Sequence, residues 1–323
     1  MRAVSVVSFS DTDPLSGLSL TDVPRPQAPE NWRWVRVMAA GLNHHDLWTL
    51  RGVGLSADAL PMILGCEAAG VDEETGDEVI IHSVVADPRA TGDETTDPNR
   101  SLLSERHPGT FADFVSVPVR NLIPKPHWLT WQQAASLPVA WLTAYRMLQT
   151  KSGLQPGDTV LVQGAAGGVA SAAIAIGKAA GYRVWATSRS EQRRDYAASL
   201  GADGVFEVGA RLPERVDAVI ETVGEATWAH SLKALKPGGT VVVSGATTGA
   251  NPPADLARVF FLQLNIHGST MGTLEEFHGL LELLQRTGLR PNIGMEVPLE
   301  QALQAFEAMH SGTLLGKAVL TLD

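Results

Sequence analysis

Cysteine is nearly absent from this chain of 323 residues, in which Cys66 is the single example. One thiol cannot form a disulfide within the chain, nor can it supply a structural zinc site made of several cysteines. Positive charge is also scarce, because 25 Lys and Arg stand against 35 Asp and Glu and leave a formal net charge of −10. That balance excludes the basic surface with which proteins bind nucleic acid or anionic lipid.

Long apolar runs are missing as well. None precedes Asp11 and Asp13, so we expect no secretory signal. The uncharged stretch 159–177 is long enough for a membrane span, but its Gly, Ala, Ser and Gln are typical of a buried segment in a soluble protein. Because 44% of the residues are hydrophobic, the chain has ample material for buried cores. We predict a soluble cytoplasmic protein of about two domains that binds neither nucleic acid nor membrane.

The first 125 residues are rich in Val, Pro and Gly. Short apolar runs broken by turns predict strands of a β-barrel or sandwich at 34–41, 77–82 and 111–117. Between the last two runs, residues 87–108 are strongly polar and contain several turn-forming residues. We expect this segment to be an exposed loop.

From about residue 126 the pattern alternates between strands and helices. The predicted strands are 159–163, 182–187, 205–208, 216–220 and 241–244, and the predicted helices are 168–180, 190–200 and 225–236. Repeated βα units of this length predict an α/β fold with a parallel, doubly wound sheet. The tail is different, with predicted helices at 274–287 and 299–310 and a last strand at 317–322.

A glycine-rich turn lies between the first of these strands and its helix. Small residues at such a turn let backbone N–H groups and the helix N-terminus approach a pyrophosphate. In the G-x-G-x-x-G/A pattern the three positions are held here by Ala165, Gly167 and Ala170. The alternative is a tight turn without a ligand. We expect dinucleotide contacts from the whole turn, which comprises Gly164, Ala165, Ala166, Gly167, Gly168 and Val169.

The end of the next strand indicates which dinucleotide binds. A carboxylate that would bind the ribose 2′-hydroxyl is expected about 20 residues after the turn. Instead, the chain has Ser188 and Arg189 there, with Arg193 and Arg194 one helical turn later. Guanidinium groups suit a 2′-phosphate. We therefore favour NADP(H) over NAD(H), with Ser188, Arg189 and Arg193 as ligands and Arg194 as a solvated residue of the helix.

Several short motifs together resemble the medium-chain dehydrogenase/reductase superfamily. They are 41–47 (GLNHHDL), 64–71 (LGCEAAGV), 76–79 (GDEV), 109–113 (GTFAD), 134–138 (AASLP), 142–145 (LTAY) and the glycine-rich turn. The resemblance implies a GroES-like catalytic domain made of residues 1–125 and 269–323. It also implies a Rossmann domain at 126–268, an active-site cleft between the two domains, and a homodimer.

Zinc-dependent members of that superfamily place their catalytic ligands at positions that correspond here to Asn43, Cys66 and Val139. A catalytic zinc needs three protein ligands, and one thiol does not make that set. A partial site of His45 and Cys66 stays open. The segment 87–108, which corresponds to the structural-zinc lobe, contains no cysteine. The sequence therefore resembles the zinc-independent branch of NADPH:quinone oxidoreductases and enone reductases, and we expect no metal.

The resemblance also implies roles for individual residues. Asn43 would bind the nicotinamide ribose or the substrate oxygen, Thr143 would touch the nicotinamide, Trp48 would line the acceptor pocket, and His45 would deliver a proton. Asn43 as a turn former, Trp48 as a core residue and His45 as a structural histidine stay open as alternatives. Cys66 is expected to fill space, and Asp46 and Glu67 to pair with basic groups. Further cofactor contacts are implied at Val223, Gly245, Thr247, Ser269 and Lys317.

Two other functions stay open at this point. One is an alcohol dehydrogenase with an unusual metal site, and the other is an NADPH-binding protein without catalytic activity. The chain has Trp48 where relatives have an active-site tyrosine, so the substrate, a quinone or an enone, is not fixed.

Overall fold

The computed structural model describes residues 1–25, 27–87 and 92–322. The chain forms two compact units. The first comprises Met1–Val139, Thr273–Glu275 and Arg290–Asp323, and the second comprises Ala140–Gly272 and Glu276–Leu289. The first unit therefore reaches further along the chain than the predicted boundary at residue 125. Residues 276–289 of the tail belong to the second unit instead of returning to the first.

The strands are numbered in chain order. They are β1 (Arg2–Val6), β2 (Leu18–Asp22), β3 (Trp32–Gly41), β4 (Met62–Ile63), β5 (Ala68–Asp72), β6 (Glu78–Ile81), β7 (Val84–Val85), β8 (Ser101–Leu102), β9 (Phe114–Pro118), β10 (Leu122–Pro124), β11 (Thr159–Gln163), β12 (Arg183–Thr187), β13 (Gly204–Phe206), β14 (Val216–Glu221), β15 (Leu235–Val243), β16 (Asn265–Gly268), β17 (Ile293–Pro298) and β18 (Lys317–Thr321).

The helices are numbered in the same way. They are α1 (His44–Leu50), α2 (Trp131–Ala135), α3 (Leu142–Tyr145), α4 (Gly168–Ala179), α5 (Glu191–Ser199), α6 (Glu225–Ala234), α7 (Leu256–Phe261), α8 (Leu274–Thr287) and α9 (Ala302–His310). Short 3-10 turns precede β2 and α9, and π-helical turns flank α3. The predicted helix 225–236 is two residues too long, because Leu235 already pairs with Val216 in the sheet.

The first unit is built around a mixed sheet. Its strand order is β10-β6-β5-β3-β18-β17, with β9 also paired to β3, and a small sheet β2-β1-β4 accompanies it. Strand β18, from the end of the chain, pairs antiparallel with β3, which begins at Trp32. The rings of Phe111 and Phe306 meet edge to face in the core, with their centroids 6.2 Å apart. This arrangement holds the C-terminal strand β18 in the same sheet as strands from the first half of the chain.

The second unit has one parallel sheet in the order β13-β12-β11-β14-β15-β16. Numbered within the unit, this order is 3-2-1-4-5-6, the arrangement of a dinucleotide-binding Rossmann sheet. The prediction of a doubly wound parallel sheet beside a GroES-like domain is confirmed. The carboxyl ends of β11 and β14 lie at the point where the strand order reverses, which is where such folds bind ligands.

The expectation of an exposed loop at 87–108 is wrong for much of the segment. Glu94, Thr95, Ser101, Leu103 and Ser104 are all buried. Strand β8 pairs with β7, and this pairing draws the segment onto the first unit. Residues 88–91 lie outside the described residues. The polar composition of the segment conceals the burial, because some of its polar groups are hydrogen-bonded to distant parts of the chain: Glu94 accepts a hydrogen bond from the backbone N–H of Leu274.

No helix within the described residues is long and apolar enough to cross a membrane. The uncharged stretch 159–177 forms β11, the glycine-rich turn and most of α4.

Candidate active site

Helix α1 begins directly at the paired histidines. Both His44 and His45 lie in the first turn of this helix. The buried carboxylate of Asp46 accepts hydrogen bonds from the backbone N–H groups of Asn43 (2.9 Å) and Gly65 (3.0 Å). Gly65 has φ +92°, and a Cβ there would meet Phe111 and Thr110. Asp46 thereby joins the start of α1 to the 64–67 segment through backbone groups instead of a basic side chain.

A buried ion pair lies beside this turn. The Lys317 ammonium and the Glu67 carboxylate are 2.5 Å apart, and their side chains are 3% and 0% exposed. Lys317 also donates to the carbonyl oxygen of Leu42 (2.7 Å) and to Oδ1 of Asn43 (2.9 Å). A lysine has three N–H donors, so these acceptors use all of them. The expectation that Glu67 pairs with a basic group agrees with this geometry.

The Glu67 carboxylate accepts two further hydrogen bonds. Asn43 Nδ2 donates to Glu67 Oε1 at 2.9 Å, and the backbone N–H of Val139 donates to Oε2 at 2.7 Å. Both ends of the Asn43 amide are thus bonded within the first unit. The Lys317 ammonium donates to Glu67 and Asn43. The family resemblance implied instead a contact of Lys317 with the cofactor. Asn43 is therefore more than a turn former, because it links two charged groups.

Cys66 is completely buried beside this network. One ligand atom each from His45, Asp46 and Cys66 lie within 4.8 Å of one another, a grouping that could hold a metal ion. However, burial and the charges of Asp46 and Glu67 raise the pKa of the Cys66 thiol well above its usual value. Burial also raises the pKa of Asp46 to about 6. A metal bound here would have to displace the proton of the thiol, because only the thiolate is a metal ligand.

His45 forms a polar contact with Glu105 in the 101–106 segment. Its Nε2 lies 3.1 Å from Oε1 of Glu105, and the backbone N–H of Leu102 donates to Oε2 of that carboxylate. Burial alone would lower the pKa of His45, but the hydrogen bond to Glu105 and the charges of Asp46 and Glu105 raise it above its usual value. Nδ1 is buried and has no hydrogen-bond partner among the described residues. His45 is therefore a half-buried group that holds a proton readily.

Trp48 is neither fully buried nor fully exposed. Its ring meets the edge of the His44 imidazole, with centroids 6.4 Å apart. Burial lowers the pKa of His44, and the charges of Lys317 and Arg51 lower it further. The two neighbouring histidines therefore differ in their preferred protonation state.

The glycine-rich turn in the second unit has the form that a dinucleotide requires. Gly164 has φ +84°, a left-handed conformation that suits glycine. Gly167 is exposed at the N-terminal end of α4, and a Cβ there would meet no heavy atom of the described chain within 4 Å. Ala165 and Ala166 are buried beneath the turn. Open space therefore faces backbone N–H groups at a helix N-terminus, which fits a pyrophosphate.

A buried polar chain supports this turn, and sequence analysis missed it. Thr187 donates to Oε1 of Gln163 (2.6 Å), and Nε2 of Gln163 donates to Ser231 (3.0 Å). Ser231 in turn donates to Glu221 (2.6 Å), which also accepts from the backbone N–H of Val223. The ends of β11, β12 and β14 are thus joined by side chains. The available signal was a polar residue, Gln163, at the end of an apolar strand.

The residues expected around the 2′-phosphate lie after β12. Ser188 is buried, Arg189 is exposed and Arg193 is half-buried in α5. The prediction that Arg194 is only solvated is wrong, because its guanidinium donates to the carbonyl oxygen of Ser188 at 2.9 Å. Arg194 thereby fixes the backbone at the strand end.

The other predicted cofactor residues of the second unit lie at further strand ends and in α3. Val223 follows β14, Gly245 and Thr247 follow β15, and Ser269 follows β16. The hydroxyl of Ser269 is buried without a hydrogen-bond partner among the described residues, and such a group is satisfied when a polar ligand binds. Thr143 is 4% exposed in α3. These positions, together with the turn, are compatible with a nicotinamide dinucleotide.

Comparison with known proteins agrees with this geometry. The family model for the alcohol dehydrogenase GroES-like domain matches residues 29–127, and that for zinc-binding dehydrogenase matches residues 168–286. Quinone oxidoreductase from Mus musculus is 30% identical over 340 residues, covering 100% of this chain and 98% of that protein. The chain belongs to the medium-chain dehydrogenase/reductase family, of the quinone oxidoreductase type. It is an oxidoreductase.

Solved structures of this family have the same fold. A crystal structure of an NAD-dependent alcohol dehydrogenase superposes with a TM-score of 0.92 at 33% identity, with 100% of both chains covered. The 2-octenoyl-CoA carboxylase reductase CinF, solved in complex with NADP and 2-octenoyl-CoA, has a TM-score of 0.91 at 25% identity, with 99% of this chain and 87% of that chain covered. Medium-chain dehydrogenase/reductase relatives therefore include proteins with either nicotinamide cofactor.

The buried pair gives a direct prediction for stability. Lys317→Met leaves the Glu67 charge buried without its counter-charge, so we expect the free energy of unfolding to fall by about 3–5 kcal/mol. Urea unfolding followed by circular dichroism measures the change. The matched control, Lys178→Met, removes a lysine that is 48% exposed and paired with Asp203, and should cost less than about 1 kcal/mol.

Adding Glu67→Gln to Lys317→Met removes the unpaired charge and should recover part of the lost stability. Equal losses for Lys317→Met and Lys178→Met would contradict this account of the site.

Proposed function

We propose that this protein is a zinc-independent, NADPH-dependent reductase of quinones or α,β-unsaturated carbonyl compounds. The Asn43–Glu67–Lys317 network carries the proposal. Two of the three positions that correspond to zinc ligands, the Asn43 side chain and the Val139 backbone, are bonded to Glu67, whose charge is balanced by Lys317. The third position, Cys66, holds a thiol whose pKa is raised by burial. The cation of this pocket is therefore an ammonium group of the chain itself.

The absence of a ligand set for zinc limits the chemistry. A simple ketone needs a Lewis acid or a strong proton donor as negative charge develops on its oxygen. A quinone or an enone spreads that charge by conjugation, so modest help from side chains suffices. A bound nicotinamide supplies the hydride, and we assign its binding to the glycine-rich turn, Thr143, Ser269 and the strand ends of the second unit.

His45 is the proposed proton donor. Its Nε2 is bonded to Glu105, and its Nδ1 has no partner among the described residues. In the reaction an acceptor gains a hydride at carbon, or at oxygen in a quinone, and then one proton from the His45 imidazolium. The ring is restored by a proton from solvent. Trp48, at the edge of His44, is assigned to the wall of the acceptor pocket.

The preference for NADPH rests on the residues after β12. Ser188 and Arg189 occupy the place where an acidic residue would favour NAD, Arg193 lies one helical turn later, and Arg194 fixes the backbone of Ser188. The relative CinF, solved with NADP, supports NADPH as the cofactor. The similar NAD-dependent alcohol dehydrogenase would instead favour NADH.

Arg193→Ala should therefore weaken NADPH binding about tenfold or more and change NADH binding less than about twofold, because only NADPH has the 2′-phosphate. Fluorescence titration of each coenzyme measures both affinities. Arg286→Ala, an exposed arginine of α8, is the control and should alter neither. Equal losses for the two coenzymes would rule out the 2′-phosphate assignment.

The contact of His45 with Glu105 predicts a change in pH dependence. His45 must be protonated to act, so activity should fall as the pH rises through its raised pKa. Glu105→Gln removes the charge that opposes the effect of burial, and the alkaline limb of kcat/KM should move to lower pH. Glu30→Gln, at an exposed position of the same unit, should leave the profile unchanged. If the alkaline limb of kcat/KM stays at the same pH in Glu105→Gln, His45 in contact with Glu105 is not the proton donor.

A homodimer is also proposed. Strand β16 pairs with β15 among the described strands and leaves its other edge open. Ile266 in this strand is 44% exposed, and Phe260 and Phe261 in α7 are 71% and 80% exposed. Open edges and exposed aromatic side chains favour a second copy as the partner.

Ile266→Lys should convert the dimer into a monomer in analytical ultracentrifugation, because a charge opposes pairing at the strand edge. Leu303→Lys, at a position 47% exposed in α9, is the control. A wild-type protein that is monomeric at every concentration would dismiss the dimer.

The central experiment is to follow NADPH oxidation by the purified protein with a panel of quinones and enones, together with metal analysis. We expect turnover without stoichiometric metal, and no loss of activity after treatment with a chelator. The second candidate, an alcohol dehydrogenase with a metal at His45, Asp46 and Cys66, rests on the closeness of these three groups. Stoichiometric zinc on which activity depends would favour that candidate.

A further inference from the structure

A cavity of about 850 Å³ in the first unit is lined by residues that include Arg100, Glu105, Arg106, Leu55 and Met62. It is large enough for a small-molecule ligand. Its wall is connected to the proposed proton donor, because Glu105 is the residue bonded to His45. The cavity thus lies next to the group to which we assign acceptor chemistry.

The two arginines leave most of their donors free. Arg100 bonds to the carbonyl oxygen of Asp97 (3.3 Å), and Arg106 bonds to that of Asn99 (3.2 Å). Each contact uses one guanidinium nitrogen of a group that has five N–H donors. Within the part of the chain that the structure describes, neither guanidinium is paired with a carboxylate. Glu105, the acidic residue of the cavity wall, is already bonded to His45.

The segment that holds these arginines is anchored. Ser101, Leu103 and Ser104 between them are buried, and Ser101 and Leu102 form β8, which pairs with β7. The Ser101 hydroxyl also accepts a hydrogen bond from the backbone N–H of Arg106. The backbone of both arginines is therefore fixed even though their side chains are exposed. Two guanidinium groups in the wall of this cavity, without a carboxylate partner among the described residues, fit a carboxylate or a phosphate.

We infer that this cavity recognises an anionic group of the acceptor, with Arg100 and Arg106 as the residues that determine specificity. The inference rests on the proposed function and narrows it from quinones and enones in general to enones that carry a carboxylate or a phosphate. The conjugated group of such an acceptor reacts, and its anionic end contacts the two guanidinium groups.

Two pairs of acceptors distinguish the sources of negative charge. The first pair is an enone with a carboxylate at the end of a saturated four-methylene spacer and its methyl ester. The second pair is crotonyl-CoA and the crotonyl thioester of N-acetylcysteamine, which lacks the phosphates. Within each pair the reacting group is the same. A ratio of kcat/KM within each pair therefore reports recognition of the carboxylate or of the phosphates.

We expect the wild type to prefer the charged member of at least one pair by roughly tenfold, since two charge-assisted contacts are available. The double variant Arg100→Ala/Arg106→Ala should lose that preference and change kcat/KM for the neutral member less than about twofold. Arg36→Ala is the control, because Arg36 is exposed in the same unit and is not part of the cavity wall. Equal kcat/KM for charged and neutral members in the wild type would overturn the inference.

A binding measurement separates this inference from the proposed reaction. The saturated keto acid that corresponds to the first enone cannot be reduced at a C=C bond, and calorimetry measures its affinity and that of its methyl ester. Tighter binding of the acid than of the ester, lost in the double variant, would support anion recognition by the cavity even if no enone is reduced. The absence of enone reduction would count against the proposed function alone. Equal affinities for acid and ester, together with no preference for crotonyl-CoA, would overturn the inference. The reductase assignment is tested separately, by the oxidation of NADPH.

Discussion

The buried pair of Lys317 and Glu67 is the interaction on which the first unit depends. Two charges removed from water cost several kcal/mol each unless further hydrogen bonds satisfy them. Here the ammonium has three acceptors, and the carboxylate receives donors from Asn43 and Val139. The pair therefore draws together segments that lie as much as 275 residues apart along the chain. Pairing of β18 with β3 provides the backbone frame for this contact.

The same network sets the chemistry of its surroundings. The amide of Asn43 and the backbone N–H of Val139 both donate to Glu67, at two positions that correspond to zinc ligands in zinc-dependent relatives. Cys66 lies among acidic groups and is buried, so its thiol keeps the proton that a metal would have to displace. His45 lies outside this network, and its Nε2 is bonded to Glu105 instead. This separation is why we propose His45, and no residue of the network, as the proton donor.

Much of the fold was predictable because its signals are local. Alternating apolar strands and helices led to the prediction of the parallel sheet, and the glycine-rich turn after β11 led to the prediction of a phosphate-binding site. The site in the first unit was less predictable, since its partners meet only in the folded chain. Lys317 was assigned to the cofactor from the family resemblance, and nothing near it in sequence reveals its contact with Glu67. Glu105 was missed because a polar segment predicts exposure, whereas the pairing of β8 with β7 holds it beside His45.

Net charge and local charge act over different distances, and this difference bears on what the protein binds. A formal net charge of −10 opposes the approach of nucleic acid or an anionic membrane, which meet the whole surface. At physiological ionic strength, exposed charges are screened beyond about 8 Å. A small anion within the cavity therefore responds to Arg100 and Arg106 and hardly at all to distant carboxylates. An acidic protein can exclude large polyanions and still select a small anionic acceptor. Binding of the small acceptor depends on its direct contacts in the cavity and not on the net charge of the protein.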